Sequence, residues 1–317
     1  MSRNSDNETS RLDEAARAGW LYYIAGNTQE EIAKKLGVSR QTAQRLVSLS
    51  VSERLIKVRL DHPIARCLDF SQRLTDRFGL VLCEVVPSDP DSPSAGVGVP
   101  QALASEIERR LESPHPRVIA VGSGKTLRSA VENLKRMECP QHKVVSMVGN
   151  IAPDGTAILY DVIMRMAEAI QAPHYPIPLP VIAASVHERD LFLSQRSVSN
   201  VMDLARHADV TFMGVGHLGD DGGLHRDGFV TRQELRALVK AGAVGEVIGW
   251  AFDQNGQLIE GLTNDRVTSV PVSSQAGQLV VGAAAGRAKQ AAVLGALRGK
   301  LISGLVTNEV MAEFLLA

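Results

Sequence analysis

From Thr28 onward the chain repeats apolar positions at the helical period. Ile32, Ala33 and Leu36 share one face, and after Gly37 the same period resumes in Ala43, Leu46 and Val47. Two short helices joined at a glycine are predicted. Thr28 can cap the first, with Glu31 three residues on reaching back to it, and Ser39 can cap the second, about Arg40 to Glu53. Upstream, Leu12 to Ala25 reads as a further helix with Leu12, Ala15, Ala16, Gly19, Tyr22 and Tyr23 on one stripe, while the polar first ten residues are expected to be disordered. Downstream, Arg54 to Leu60 alternates basic or polar with apolar residues, the period of a half-buried strand, and so predicts a wing. His62-Pro63 breaks the chain, and Ile64 to Phe78 forms another helix, ended by Gly79. Its seam of Ile64, Cys67, Leu68, Ser71, Leu74 and Phe78 suits either a subunit contact or a buried face within the chain.

From Leu80 the pattern changes to short continuous apolar runs separated by helical stretches, at 80–86, 117–121, 143–148, 178–183 and 209–216. Strands apolar on both faces belong to a parallel sheet covered on both sides, a doubly wound α/β arrangement. Beyond Gly245 the segments suggest antiparallel strands mixed into the same domain, with Asn255-Gly256 as a hairpin turn. The expected organisation is a winged helix-turn-helix domain over residues 1–60, a linker helix over 61–79 and a ligand-binding α/β domain over 80–317.

Charge changes the picture at the N-terminal end. The whole chain has a formal net charge of −1, yet Thr28 to Leu60 holds seven Lys or Arg against three Glu, a local charge of +4. Arg40, Gln41, Thr42, Gln44 and Arg45 should point outward from the second helix, and these residue types read base edges and phosphates in the major groove. With Ser39 at its cap, Thr28 and Gln29 at the head of the first helix and Arg59 in the wing, they form the expected face for double-stranded DNA. Only 4% of residues are aromatic, which argues against stacking on single strands. No apolar run is long enough to span a bilayer, and the N-terminus lacks the pattern of a signal peptide, so a cytoplasmic protein without membrane contact is expected. Cys67, Cys83 and Cys139 are far apart, and neither they nor the scattered histidines support a metal site or a disulfide framework.

The candidate ligand site begins where the run RVIAV empties into Gly122-Ser123-Gly124-Lys125-Thr126, with a helix expected over about Leu127 to Met137. Strand, glycine loop and helix N-terminus together favour an anion or polar ligand. A nucleotide P-loop needs a glycine where Ile119 stands, and the dinucleotide fingerprint needs one at Leu127. A smaller phosphate or polyhydroxy ligand fits better, and a tight turn with no ligand is the alternative. Gly216 and His217, in Gly214 to Gly219, should lie at the same carboxyl edge of the sheet. Asp220-Asp221 can be part of a lid or merely solvated turn residues. Asp265 and Lys289 offer further polar groups.

These segments together, GSGKTLRSAV, ADVTFMGVGHLG, GAVGEVIGWAFDQNG, TNDRV and AAGRAKQAAVLGALRGKLISGLVTNE behind a helix-turn-helix, resemble the SorC family of bacterial transcriptional regulators, with their DeoR-type sugar-binding domain. The resemblance runs from about residue 12 to the C-terminus. It implies a regulator of a carbohydrate or polyol operon, homo-oligomeric as a dimer or tetramer, and a Rossmann-like effector domain similar to sugar-phosphate isomerases and deaminases. No cofactor is implied. The effector, a sugar, polyol or sugar phosphate, would meet Gly122 to Thr126 and Lys289, with Gly216, His217 and Asp265 in further pocket segments. Asn150 stands beside Gly149 where relatives often carry a second glycine, and Tyr160-Asp161 replaces an Asn/Glu-type pair; both changes favour an unphosphorylated polyol. The alternative from another class is an isomerase or deaminase with an added DNA-binding arm, for which no general acid–base constellation stands out.

Overall fold

The computed structural model describes residues 2–58, 64–89, 91–92, 96–158, 161–272 and 278–317, with residues 2–9 described by backbone alone. Contacts divide the chain into two compact units, Met1–His62 and Pro63–Ala317.

The first unit is built from α1 (Ser2–Tyr23), α2 (Gln29–Leu36) and α3 (Arg40–Ser52). Thr28 and Glu31 form the reciprocal cap: the Glu31 N–H donates to Thr28 Oγ1 at 3.3 Å and the Thr28 N–H to Glu31 Oε2 at 2.8 Å. Gly37 ends α2 with φ 67°, a left-handed conformation that glycine adopts without a Cβ penalty. The Thr42 N–H donates to Ser39 Oγ at 3.1 Å and starts α3. Ala15, Ala18 and Leu21 of α1 close over Ile32, Ala33, Ala43, Leu46 and Val47. Small residues set the approach of α1 to α3, since a Cβ at Gly19 would lie 2.7 Å from that of Ser50.

Three expectations need correction here. α1 starts at Ser2, so the backbone of residues 2–10 continues the helix into which they lead. Tyr22 and Tyr23 are exposed, and Ala18 and Leu21 take the place expected of them on the buried stripe. Residues 54–58 form turns rather than a wing. The Ser50 carbonyl accepts the N–H groups of Leu55 (2.8 Å) and Ile56 (3.1 Å), so these groups finish α3 and leave no ladder for a strand. Arg59, Leu60 and the His62-Pro63 break lie outside the described residues.

The second unit runs α4 (Ala65–Phe78), β1 (Leu82–Val86), α5 (Val99–Leu111), β2 (Val118–Val121), α6 (Lys125–Glu132), β3 (Lys143–Ile151), α7 (Ile163–Ile170), β4 (His174–Pro180), α8 (Val186–Leu193), α9 (Arg196–Arg206), β5 (Val210–Gly214), β6 (Gly216–His217), α10 (Gly223–Arg226), α11 (Arg232–Lys240), β7 (Ala243–Val247), β8 (Trp250–Asp253), β9 (Leu279–Ala283), α12 (Gln290–Arg298), β10 (Gly304–Asn308) and α13 (Glu309–Leu316). Seven strands pair in the order β1-β10-β9-β5-β2-β3-β4, all in parallel. The helices α5, α6 and α7 cover one face around Leu103, Ile107, Leu127 and Ile163, while α4, α9, α12 and α13 cover the other around Leu74, Met202, Val293 and Met311. The seam of α4 is therefore a buried face within the chain, although Leu68 stays exposed. Antiparallel strands form a small second sheet, β6-β7-β8, beyond which the hairpin at Asn255-Gly256 turns back onto Phe252.

The strand expected over 178–183 starts instead at His174 and ends at Pro180. Pro176, Pro178 and Pro180 alternate along it, which a central strand would not accept for lack of N–H donors. β4 is an edge strand, where one row of donors has no partner strand and alternate prolines leave no ladder bond unmade. The helix after the glycine loop is also earlier and shorter than expected, so Lys125 and Thr126 stand in its first turn.

The sheet order creates the site. After β2 the chain moves outward to β3 and β4, and after β5 it moves the other way to β9 and β10. β2 and β5 are neighbours, so the crevice beyond their carboxyl ends is the topological switch point where ligands of such sheets bind.

Candidate functional site

At that switch point opens a cavity of about 740 Å³. Its floor is the turn from β2 to α6, with Ser123, Gly124, Lys125 and Thr126 exposed to it. Gly124 has φ 115°, and no side chain caps α6, whose first residues Lys125 and Thr126 line the cavity, an arrangement suited to an anion or polar ligand. The end of β5 contributes Gly214 to His217. Opposite lies a hairpin flap that continues β3: the Ala152 N–H donates to the Thr156 carbonyl at 2.7 Å, and Asp154 Oδ1 accepts the Thr156 N–H at 3.0 Å. A third wall comes from α10 and the turn after it, with Leu224, Arg226, Asp227 and Phe229.

Two groups on the remaining wall carry the chemistry. Glu246 projects from β7 and Lys289 from the turn ahead of α12, and both line the cavity. Burial pushes the Glu246 carboxyl above its ordinary value, against the pull of the Gly249 N–H, Lys289 and His217. Burial likewise pushes the Lys289 amine below its ordinary value, opposed by Glu246 and reinforced by Arg226 and Lys125. A desolvated acid facing a desolvated amine, beside a hydroxyl-bearing loop, suits a ligand with several hydroxyl groups, because each group can donate to the acid or accept from the amine. Glu246 Oε2 accepts the Gly249 N–H at 2.9 Å. Its other oxygen rests on the bare face of Gly216, where a Cβ would come 2.8 Å from Glu246 Cδ.

His217 Nε2 stands 3.0 Å from Asp221 Oδ1, and this histidine holds the Asp221 carboxyl below its ordinary value. Arg226 grips Asp227 through two 2.8 Å bonds. The aspartate loop thus has fixed partners, and Asp221 but not Asp220 faces the cavity.

Of the residues singled out in the sequence, Ser123, Gly124, Lys125, Thr126, Gly216, His217 and Lys289 come together around this space. Three do not line it. Gly122 lies behind the loop, where a Cβ would sit 3.0 Å from Ile248 Cγ2. Asn150 belongs to β3, and its carbonyl accepts the Ile158 N–H at 3.0 Å, anchoring the flap. Asp265 is exposed on a 3-10 turn whose neighbours are structural: Asn264 clamps both backbone groups of Ala251 at 2.9 and 2.8 Å, and Arg266 bonds the Ala183 carbonyl at 2.9 Å and pairs with Glu234. Tyr160 lies outside the described residues. Glu246 was missed in the sequence, because a lone acid inside an alternating strand reads as a solvent-facing position. Among the described residues no group of three His, Cys, Asp or Glu is placed to hold a metal ion, and no helix is long and apolar enough to cross a membrane.

In the first unit Arg40, Gln41, Thr42, Gln44 and Arg45 are exposed on α3, while Ala43, Leu46 and Val47 face inward. The first turn of α3 carries no acidic residue, whereas that of α2 carries Glu30 and Glu31. The local charge would thus favour a phosphate at the head of α3 over the head of α2. Thr28 and Ser39 spend their hydroxyls as caps, and Gln29 is the first residue of α2.

Residues 62–317 match the family of sugar-binding domains called Sugar-bind, and residues 10–58 match a homeodomain-like domain. The chain is similar to the erythritol catabolism regulatory protein EryD of Brucella abortus, with 32% identity over 95% of this chain and 96% of the relative. It is also similar to the transcriptional regulator LsrR of Klebsiella pneumoniae, with 30% identity over 95% of this chain and 92% of the relative. Its fold is similar to the full-length sorbitol operon regulator SorC of Klebsiella pneumoniae, with a TM-score of 0.70 and 24% identity over 96% of this chain and 99% of that one.

Proposed function

The chain belongs to the SorC/DeoR-type family of sugar-binding transcriptional regulators, and from this premise we propose that it controls a carbohydrate or polyol catabolic operon in the cytoplasm. It is a DNA-binding regulator and not an enzyme, as its relatives are. We assign operator contact to Arg40, Gln41, Thr42, Gln44 and Arg45 of α3, positioned by Thr28, Gln29 and Ser39 and extended by Arg59, within a DNA-binding domain of residues 1–60. Residues 61–79 connect it to the effector domain of residues 80–317, against whose sheet the helix α4 packs. The effector is a small sugar, polyol or sugar phosphate. It binds at Ser123 to Thr126, Gly216, His217, Glu246 and Lys289, while Gly122, Asn150 and Asp265 act by shaping the elements around them. Two or more subunits present their α3 helices to a palindromic operator, as a dimer or tetramer.

The observation that carries this reading is the convergence of the open α6 N-terminus, Glu246 and Lys289 on one cavity at the switch point. Control requires that the effector bind one arrangement of the protein more tightly than the other. Thermal-shift measurements with erythritol, sorbitol, common aldoses and their phosphates test it, since a bound ligand raises the melting temperature. At least one of these compounds is expected to stabilise the wild type and to lose its effect in Lys289→Ala. Stabilisation that persists in Lys125→Ala and Lys289→Ala alike would place the effector elsewhere.

A further inference from the structure

The turn between β7 and β8 contains a backbone conformation that its residue disfavours. Val247 pairs with Trp250, so Ile248 and Gly249 form a two-residue hairpin turn, and their φ angles are 44° and 94°. Positive φ at both positions is the pattern that Asn-Gly satisfies. A β-branched residue there is a genuine outlier, and such strain is held only where the surroundings over-determine it. Two contacts hold it. Glu246 Oε2 accepts the Gly249 N–H across the turn, and the Ile248 side chain packs on Gly122, whose missing Cβ would lie 3.0 Å from Ile248 Cγ2. Ile248 also lines the cavity, and Gly122 opens the loop that carries Ser123 to Thr126. The group that restrains the strained turn is thus the same carboxylate that faces the effector.

We propose that this turn is a latch released by the effector: a ligand hydroxyl that engages Glu246 draws it from the Gly249 N–H, the turn relaxes, and Ile248 shifts away from Gly122. This rests on the effector reading of the cavity and adds how occupancy becomes movement. Ile248 is a positioning residue in this scheme, acting on the loop through Gly122. Burial raises the Glu246 carboxyl, so a ligand donor that engages it meets a group already stripped of water.

The test needs no effector. Trp20 and Trp250 are the two tryptophans of the chain, so Trp20→Phe leaves Trp250, next to the turn, as the sole tryptophan, selectively excited at the red edge. In that background Glu246→Ala should shift Trp250 emission and accelerate exchange of the Ile248 and Trp250 amides, which do not themselves donate to Glu246, by about tenfold or more, the loss of one restraining hydrogen bond. Glu246→Gln keeps an acceptor and should behave as the parent does. Ile248→Gly removes the strain, so adding Glu246→Ala to it should change exchange by less than about threefold. Operator affinity should shift in Glu246→Ala and return toward the parent value in the double variant. Glu246→Asp, which withdraws the carboxylate by one methylene, serves in the same comparison if the alanine variant does not fold. Equal acceleration with and without the Ile248→Gly substitution, or none in either background, overturns the latch. Because no ligand enters this comparison, that result leaves the effector assignment to stand or fall on the thermal-shift panel.

Discussion

Gly216→Ala tests the packing of the cavity wall at a single atom. Gly216 has no unusual backbone conformation, so alanine costs nothing locally, but its Cβ would lie 2.8 Å from Glu246 Cδ and 3.1 Å from Cγ. Carbon pairs prefer about 3.5 to 4.0 Å, so the carboxyl must retreat by about 1 Å. A retreat of that size breaks the 2.9 Å bond from the Gly249 N–H. Losing a hydrogen bond to such a group costs about 1.5 to 3 kcal/mol, and we expect urea denaturation to report about 2 kcal/mol of destabilisation. The decisive arm is Gly216→Ala combined with Glu246→Ala, which deletes the three atoms nearest the new methyl, Glu246 Oε1, Cδ and Cγ. The double variant should be no less stable than Glu246→Ala alone. Simple additivity of the two losses would refute the packing argument, because independent sites add and colliding ones do not.

Arg40→Ala and Arg45→Ala should each weaken operator binding and lower its salt dependence if the side chain meets a phosphate, or relax sequence preference if it meets a base; fluorescence anisotropy across a salt series distinguishes the two. Ser39→Ala removes the cap of α3 and should cost the first unit about 1 kcal/mol in thermal or chemical unfolding. Hydrogen bonds from Thr28 hold the Glu31 carboxyl below its ordinary value. Its contribution is therefore present above the usual carboxylate range and is lost as the pH falls through the lowered value, so acid titration should release α2 in the wild type and make less difference in Glu31→Gln.

Local chemistry was the most legible part of the chain. The Thr28–Glu31 cap, the Gly37 stop and the Ser39 cap are decided within a few residues, and α2 and α3 form where those signals stand. The loop at 122–126 was equally readable, since a strand running into glycines before a helix makes the same turn in many contexts. Features that depend on distant partners were not. The strand placed at 178–183 lies instead at His174–Pro180, because its alternating prolines are accommodated only where the sheet order makes β4 an edge. Tyr22 and Tyr23 fit the helical stripe by period, but the α1 to α3 crossing at Gly19 favours smaller residues beneath it. Asp265 sits in a suggestive polar motif whose neighbours, Asn264 and Arg266, are committed to backbone groups. Glu246 gains its meaning only when β7 packs on α12, so tightly that a Cβ at Gly245 would lie 3.0 Å from Ala292 Cα, and Lys289 arrives from more than forty positions away.

The central claim, that one chain couples a DNA-reading helix to a polyol- or sugar-binding cavity, is tested most directly by operator binding of wild type and Lys289→Ala with and without the compound that stabilises the wild type. The account predicts equal operator affinity for the two proteins alone, and an effector-dependent shift for the wild type only. An undiminished shift in Lys289→Ala, or no sequence-specific DNA binding by the wild type, would contradict it.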